Sequence, residues 1–295
     1  MPELPDVSLY VEHLERTVVG HAPATVRVHN PFVLRSVEPP LSAFEGRQIC
    51  GVQRLGKRIA LVFEQEYVLV MHLMIAGRLR WRPPGKHIGG KLSLASLHFD
   101  HGTLYLTEAG TTRRAALHAV QGIAALRAFD RGGLEPLTCS VRQFAEVLRR
   151  ENHTIKRTLT DPRLLSGIGN AYSDEILHAA ELSPMVLTTK LTDDEIERLH
   201  AAMQRTLLAW TDRLRGQHAG VFPETVTAFH DAMAVHGRFG QPCPVCGAPV
   251  QRIRYADNET NYCARCQTGG RVLADRALSR LLKTDFPRTL EELAD

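Results

Sequence analysis

Two C-x-x-C pairs near the end of the chain restrict its fold more than any other feature of the sequence. They read CPVC and CARC, are separated by sixteen residues, and supply Cys243, Cys246, Cys263 and Cys266. Because Zn²⁺ prefers four soft ligands in a tetrahedron, and each pair can present two sulfurs to one ion, we predict one structural zinc. A disulfide pair or a redox motif is the alternative, but the chain shows no thioredoxin-like βαβ pattern. The intervening residues alternate as in a β-hairpin, which the metal would stiffen.

The composition is typical of a soluble, mildly basic protein. The 295 residues are 44% apolar and 23% charged, and a net charge of +4 permits a polyanionic partner without establishing one. No apolar run approaches the ~20 residues of a membrane span, and no positive stretch followed by an apolar block marks a secretory signal. We therefore expect a cytoplasmic protein, large enough for two domains, that has no membrane partner.

The first half of the chain alternates between apolar runs and polar breaks. VSLYVEHLERTVVG, which begins at Val7, places apolar residues on one helical face and ends in Gly20, a stop signal. From residue 25 to about 107, β-branched runs such as RIALVF and YVLVM are separated by charged or Gly/Pro pieces. This spacing predicts an antiparallel sandwich or barrel. RGGLEPL at 131–137 has the composition of a linker.

The chain becomes helical after this linker. TDDEIERLHAAMQRTLLAWTDRL predicts a long helix in which Thr192 is the N-cap and Glu195 completes a capping box. LLSGIGNAYSDEIL predicts a glycine turn before another helix, with Asn170 as its cap. N–H groups bared by the glycines could hold an anion, and Lys156 upstream adds positive charge. The alternative is a plain connection between helices in which glycine serves geometry alone.

The first six residues, MPELPD, raise a separate question. If Met1 is removed, the nitrogen of Pro2 becomes a secondary amine, next to the carboxyl of Glu3 and directly before a helix. Pro5 and Asp6 suit the first turn of that helix. The residues alone leave two interpretations open, a chemical site or an ordinary amino terminus.

Four motifs together resemble one protein family. MPELPDV, RLGK at 54–57, HTIKRTLTDPRLLSGIGNAYSDEIL and HGRFGQPCPVCG…YCARCQ occur in that order. The chain resembles the formamidopyrimidine-DNA glycosylase / endonuclease VIII family of base-excision repair enzymes over residues 1–267. The resemblance implies an α+β multidomain fold: an N-terminal antiparallel β-sandwich with a leading helix, a helical domain with a helix–two-turn–helix element, and a C-terminal four-cysteine zinc β-hairpin finger. The implied division is 1–130 for the catalytic sandwich, 138–237 for the helical DNA-binding domain, 238–267 for the finger and 268–295 for a C-terminal extension.

The resemblance further implies a bifunctional DNA glycosylase and AP lyase that acts on damaged double-stranded DNA. By this resemblance the Pro2 amine attacks C1′ of the damaged nucleoside, displaces the oxidised base and forms a Schiff base, after which β/δ-elimination cleaves the strand. Glu3 is then the acid/base group, and Lys57 is a catalytic-site lysine that binds phosphate near the lesion. A monomer that needs no nucleotide cofactor is expected.

The same resemblance assigns seven residues to DNA binding: a wedge that fills the space left by an extruded base, a set of phosphate contacts around the glycine turn, and a supporting carboxylate. The wedge residues are Met74, Ile75 and Arg113. The phosphate contacts are Lys156, Gly169 and Asn170, and the supporting carboxylate is Glu175.

Two positions depart from the pattern of the family and leave the lesion open. Ala115 in TTRRAAL stands where the family has a wedge phenylalanine, and Asn258 stands where the finger has an arginine. A lost cationic contact weakens DNA binding and reduces its salt dependence. An oxidised-pyrimidine or bulky-lesion substrate is therefore the alternative to an oxidised purine. A DNA-damage binding protein without glycosylase activity and a zinc-dependent protein-interaction module are the alternatives to an enzyme.

Overall fold

The computed structural model of the chain describes residues 1–110, 112–225, 229–255, 258–273 and 288–292. Spatial proximity groups the chain into two compact units. Unit 1 comprises residues 1–131 and 210–228, and unit 2 comprises residues 132–209 and 229–295. The four-segment division along the chain stays a prediction. Within the described ranges, no helix is long and apolar enough to cross a membrane.

Unit 1 begins with helix α1 (Leu4–Val18), whose start is fixed by a capping box. The Asp6 carboxylate accepts the N–H of Glu3 at 2.7 Å, and the Glu3 side chain accepts the N–H of Asp6. The buried face of the helix includes Tyr10 and Leu14, as the periodicity of the sequence predicts. The capping box therefore fixes where α1 begins, and the buried apolar face fixes how the helix packs in unit 1.

Eight strands in the described part of unit 1 form two antiparallel sheets of four strands each, with orders β2-β3-β4-β8 and β1-β6-β7-β5. One apolar core contains residues of both sheets and of α1, which confirms the predicted sandwich. The strands are β1 (Thr25–Val28), β2 (Ile49–Leu55), β3 (Arg58–Phe63), β4 (Tyr67–His72), β5 (Gly77–Arg82), β6 (Ser93–Phe99), β7 (Gly102–Glu108) and β8 (Ala116–Gln121). A short helix, α2 (Ile123–Arg127), follows β8.

Residues 210–225 contribute to the core of unit 1, although they lie far from α1 in the sequence. Leu214 belongs to the apolar core that also holds the buried face of α1. The ring of Phe222 lies 6.1 Å, centroid to centroid, from the rings of both Tyr10 and His13. Arg215 donates hydrogen bonds to the carboxylate of Glu12. Unit 1 is therefore assembled from two distant parts of the chain.

Unit 2 contains the predicted helices and the zinc hairpin. Its helices are α3 (Val141–Arg149), α4 (Ile155–Thr160), α5 (Asn170–Ala179), the part of α6 (Asp193–Gln217) up to Ala209, and α7 (Ala264–Thr268). The predicted capping box of α6 is confirmed, because Thr192 Oγ1 accepts the N–H of Glu195 and Glu195 Oε2 accepts the N–H of Thr192. The predicted cap of α5 is wrong: Gly169 is the N-cap residue, and Asn170 is the first residue of the helix.

The hairpin of unit 2 follows the predicted cysteine module. Strand β9 (Val250–Arg254) pairs antiparallel with β10 (Glu259–Cys263). Beyond α7, Arg271 forms an isolated bridge with Thr289. The segment RVLADRALSRLLKTDFPRTLEELAD, which begins at Arg271 and whose pattern predicts one short helix and a tail, lies mostly outside the described residues.

Candidate active site

The amino terminus of the chain is held in a desolvated position at the start of α1. Pro2 and Glu3 are both buried. In this structure the terminal amine belongs to Met1, and removal of Met1 would pass that role to the Pro2 nitrogen. Burial is the main factor that lowers the pKa of the terminal amine; Arg78 and Lys57 lower it further, while Glu3 opposes them. An amine with a lowered pKa is available as a nucleophile near neutral pH.

Asp6 is the second titratable group at this site. It is fully buried, and burial raises the pKa of its carboxyl to about 7. One carboxylate oxygen accepts the N–H of Glu3, whereas Oδ1 has no hydrogen-bond partner among the described residues. The carboxyl can therefore gain and lose a proton near neutral pH, one helical turn from Glu3.

Two cations approach the amine from the sandwich. Lys57 lies in the turn between β2 and β3, and Arg78 is the second residue of β5. The electrostatic influence of both on the terminal amine shows that unit 1 brings them to the start of α1. The structure thus gathers the three residues predicted as catalytic, Pro2, Glu3 and Lys57. The sequence analysis did not identify Asp6 or Arg78 as members of this group.

The predicted wedge begins in the turn that connects β4 to β5. Met74 has a positive φ of 54°, and the next residue, Ile75, leaves 56% of its surface exposed. The guanidinium of Arg78 donates to the carbonyl oxygens of Ile75 and Gly77 at 3.2 and 2.7 Å. A Cβ at Gly77 would lie 2.1 Å from the carbonyl oxygen of Leu73, so only glycine fits there. This turn presents an exposed apolar side chain on a constrained backbone.

In the segment that carries the second part of the predicted wedge, Arg113 and Ala115 differ in exposure. Arg113 is partly exposed, but Ala115 is only 3% exposed and packs in the core of unit 1. The buried carboxylate of Glu108 accepts the N–H groups of Arg114 and Ala115 and so fixes this segment. Ala115 therefore cannot project from the surface as a wedge phenylalanine would.

The glycine turn of unit 2 leads into α5 and is tied to the zinc hairpin. The Nδ2 group of Asn170 donates to the backbone oxygen of Glu259 in β10, at 2.8 Å. Lys156 donates to the backbone oxygen of Asn170 at 2.7 Å and forms an ion pair with Asp174, whose side chain is fully buried. The structure thus brings Lys156, Gly169 and Asn170 together as predicted, but the ammonium of Lys156 is held by α5 itself.

Glu175 connects α5 to the segment that precedes the first cysteine pair. Its carboxylate accepts the N–H groups of Ala234, Val235 and His236 at 2.7 to 3.0 Å. The neighbouring Asp174 accepts a second kind of bond, from Nδ1 of His236 at 2.8 Å. These bonds agree with a supporting role for Glu175. The sequence analysis missed Asp174 and His236, because a single acid and a single histidine have no diagnostic spacing.

The four cysteines of unit 2 form one compact cluster. Their sulfur atoms all lie within 4.8 Å of one another, and the Cys243–Cys266 and Cys246–Cys263 sulfur pairs are 3.9 and 3.4 Å apart. Sulfurs at the corners of a zinc tetrahedron with bonds of about 2.3 Å lie roughly 3.8 Å apart. The cluster therefore suits one structural Zn²⁺, as predicted.

Comparison with known proteins identifies the family. The formamidopyrimidine-DNA glycosylase N-terminal domain matches residues 1–115, the H2TH domain of the same enzymes matches residues 133–213, and the zinc finger found in FPG and IleRS matches residues 240–269. The chain belongs to the formamidopyrimidine-DNA glycosylase family. It is therefore an enzyme of the DNA glycosylase class.

Relatives of this glycosylase match along nearly its whole length. Formamidopyrimidine-DNA glycosylases of Roseiflexus sp. and Exiguobacterium sibiricum are 34% and 30% identical, over 90% of this chain and 100% and 99% of their own. An uncharacterized formamidopyrimidine-DNA glycosylase-like protein of Mycobacterium tuberculosis is 42% identical over 51% of this chain and 94% of its own.

Solved structures of the family share the fold of this glycosylase. The Lactococcus lactis Fpg in complex with DNA containing an abasic site superposes with a TM-score of 0.80 at 25% identity, over 90% of this chain and 99% of that one. MutM in complex with DNA containing carbocyclic 8-oxo-G gives the same TM-score and identity, over 90% and 100%. Both neighbours were solved with damaged DNA bound.

Proposed function

We propose that this glycosylase excises oxidised bases from double-stranded DNA and then cleaves the strand as an AP lyase, with the amine of a mature N-terminal Pro2 as its nucleophile. The observation that carries the proposal is the buried Pro2–Glu3 start of α1, where burial lowers the pKa of the adjacent Met1 amine and where Glu3 and Lys57 act on that amine electrostatically. An ordinary amino terminus is exposed and solvated. The burial of this one supports a chemical role for it.

The chemistry of a terminal proline suits both steps. The lone pair of the Pro2 nitrogen forms a bond to C1′ of the nucleoside, and the bond from C1′ to the base breaks. After the amine has lost its proton and the sugar ring has opened, the nitrogen is a cationic iminium that cannot relax to a neutral imine. Its positive charge acidifies the C2′ protons, and loss of one of them expels the 3′ phosphate. Lys57 binds a phosphate beside this centre.

Glu3 and Asp6 supply the proton transfers. Glu3 acts as the acid/base group, helping to open the sugar and to protonate departing groups. Asp6 accepts the backbone N–H of Glu3 and so fixes the backbone position from which the Glu3 side chain extends. Because burial raises the pKa of Asp6 to about 7, its charge changes near neutral pH.

DNA is held by the elements that present N–H groups and an exposed wedge. The glycine turn before α5 offers backbone N–H groups of Gly169 and Asn170 to a phosphate, in the manner of other helix N-termini. Lys156 lies beside that turn, where its ion pair with Asp174 and its bond to the backbone oxygen of Asn170 hold the first turn of α5 in place. Ile75 enters the base stack from the constrained turn after β4, and Met74 and Arg113 complete the wedge.

We propose oxidised purines as the first lesion class to test. Members of the family have been solved with Fapy-dG and with 8-oxo-G analogues in the DNA, which supports this choice. Ala115 favours a second candidate, an oxidised pyrimidine, because its buried methyl group contributes no large wedge side chain opposite the lesion. Release of each base from otherwise identical duplexes distinguishes the two.

Covalent trapping tests the nucleophile. The protein is mixed with a duplex that carries one abasic site, borohydride is added, and a denaturing gel is searched for a protein–DNA adduct. We expect an adduct from protein that begins at Pro2. We expect none from a form with one extra residue in front of Pro2, since its nitrogen is then a peptide nitrogen. Pro2→Gly, which replaces the secondary amine by a primary one, tests the need for the secondary amine.

One result would overturn the enzyme assignment for Pro2. If the protein begins at Pro2 by mass spectrometry and binds abasic DNA but gives no adduct, the N-terminal chemistry is wrong. The protein would then be a DNA-damage binding protein, which would use the glycine turn and the wedge to bind DNA.

A further inference from the structure

A histidine from α5 contacts one of the zinc ligands. His178 lies in the last turn of the helix, and its Nε2 atom is 3.3 Å from the sulfur of Cys243. His178 is 6% exposed and Cys243 is 2% exposed. A nitrogen–sulfur approach of this length in a buried site is a hydrogen bond. Neither the family match nor the sequence analysis gives His178 a role.

The chemistry of a four-thiolate zinc site fixes the direction of this bond. Four thiolates around one Zn²⁺ leave two negative charges uncompensated, and a buried charge is costly unless N–H groups point at it. A zinc-bound sulfur carries no proton, so the imidazole must be the donor. The sulfur of Cys263 receives a comparable bond from the backbone N–H of Cys266, at 3.5 Å. For Cys243, a side chain from another element provides the bond.

We propose that His178 is an outer ligand of the zinc site, which donates its Nε2–H to the Cys243 thiolate and thereby strengthens zinc binding. Groups that hydrogen-bond to metal ligands orient them and adjust their basicity, and their loss commonly weakens metal binding by about 10- to 100-fold. His178 is a positioning residue in this sense, because it acts on the metal through Cys243.

The position of His178 on α5 gives the bond a second consequence. The same helix begins at Asn170, whose amide holds Glu259 of the hairpin, and it carries Glu175, which holds residues 234–236. His178 adds a bond to the metal site at the other end of the helix. The zinc site is therefore bonded directly to α5, the helix that follows the glycine turn.

The test compares zinc affinity and thiolate spectra in full-length variants. His178→Phe removes the donor and keeps a ring, whereas His178→Gln keeps an N–H donor of similar reach. Zinc affinity is measured by competition with a chromophoric chelator, and the thiolate-to-metal charge-transfer band is recorded after Co²⁺ replaces zinc. We expect His178→Phe to bind zinc about 10- to 100-fold more weakly, with a shifted charge-transfer band, and His178→Gln to stay within a few-fold of the parent.

A matched control separates a metal effect from loss of stability. His200 is another buried histidine of unit 2, and its Nε2 bonds to the backbone oxygen of Cys139, which is not a zinc ligand. We expect His200→Phe to leave zinc affinity and the Co²⁺ band unchanged. If His178→Phe does not fold, His178→Asn, whose amide is too short to reach the sulfur, takes its place. The proposal is wrong if His178→Phe behaves as the parent, if His178→Gln is equally weak, or if His200→Phe loses as much affinity.

Discussion

Helices α1 and α5 each have a pair of buried carboxyl groups, Glu3 and Asp6 at the start of α1 and Asp174 and Glu175 in the middle of α5, and the surroundings of the two pairs differ. At α5, Asp174 bonds to Lys156 and His236, and Glu175 accepts three backbone N–H groups. At α1, Asp6 has one oxygen bonded to Glu3 and the other without a partner among the described residues, and burial raises its pKa to about 7.

The difference distinguishes carboxyl groups that support the structure from those that could take part in proton transfer. A buried carboxylate that is paired and fully hydrogen-bonded keeps its charge and fixes the elements around it. A buried carboxyl with too few partners exchanges a proton near neutral pH, which a proton-transfer site requires. By this criterion, the carboxylates of α5 support the framework of unit 2, and the start of α1 has the property that the proposed chemistry requires.

The largest effect is expected at Glu3. Glu3→Gln keeps an oxygen that can accept the N–H of Asp6, so the cap of α1 survives, but it cannot transfer a proton. We expect base excision to slow by about 10²- to 10⁴-fold, measured in single-turnover assays, with little change in the thermal midpoint. Glu15→Gln, on the exposed side of the same helix, is the control and should be as active as the parent. Full activity of Glu3→Gln would remove the distinction between the two helices.

The next effect is expected at Asp174. Asp174→Asn leaves the charge of Lys156 without its buried partner, and breaking a buried ion pair by removing one member costs about 3–5 kcal/mol. We expect this loss in the free energy of unfolding, measured with urea and followed by circular dichroism. An unchanged denaturation midpoint would mean that solvent, rather than Asp174, balances Lys156.

Asp6 should reveal itself through pH. Its pKa is raised in the folded protein, so the stability that Asp6 contributes is fully present below its ordinary pKa of about 4 and is lost as the pH rises through about 7. Asp6→Asn cannot ionise. We therefore expect the stability of the variant relative to wild type to increase by about 2 kcal/mol between pH 5 and pH 8, from urea unfolding at each pH. A difference that is flat with pH would show that Asp6 is ionised, or solvated, throughout.

The smallest effect is expected for an exposed ion pair, which provides a reference for the buried groups. Arg142 and Glu146 are paired at 3.1 Å on α3, with side chains 90% and 60% exposed. We expect Arg142→Ala to change the free energy of unfolding by no more than about 0.5 kcal/mol. A loss above about 1 kcal/mol in the same urea experiment would show that exposure is a poor guide to the strength of these pairs.

The parts of the fold that could be predicted from the sequence are those with a local pattern. The spacing of Cys243 to Cys266 predicted the metal cluster, and apolar, β-branched runs such as RIALVF and YVLVM predicted strands that include β3 and β4. The strands that were not identified, β2, β5 and β8, all lie at sheet edges. GRLRWR of β5 has arginine at every second position, so it lacks the run of apolar, β-branched residues by which other strands were identified.

The unpredicted parts of the site depend on contacts between distant residues. Asn170 was expected to cap α5, but its amide is engaged by Glu259, which lies 89 positions later. His178 contacts Cys243 from 65 positions away, and no motif announces a single histidine on a helix. The pKa of Asp6 likewise depends on burial, which the sequence of one helical turn does not contain.

The assembly of unit 1 from two distant parts of the chain has a consequence for synthesis. While a ribosome is making residues 132–209, the residues of α1 and of both sheets have already been synthesised, but Leu214 and Phe222 have not. The side of α1 that holds Tyr10 and His13 stays uncovered until those residues emerge. The Pro2 end of unit 1 is thus translated first, while Leu214 and Phe222, which complete the core of that unit, follow only after most of the helices of unit 2 have been made.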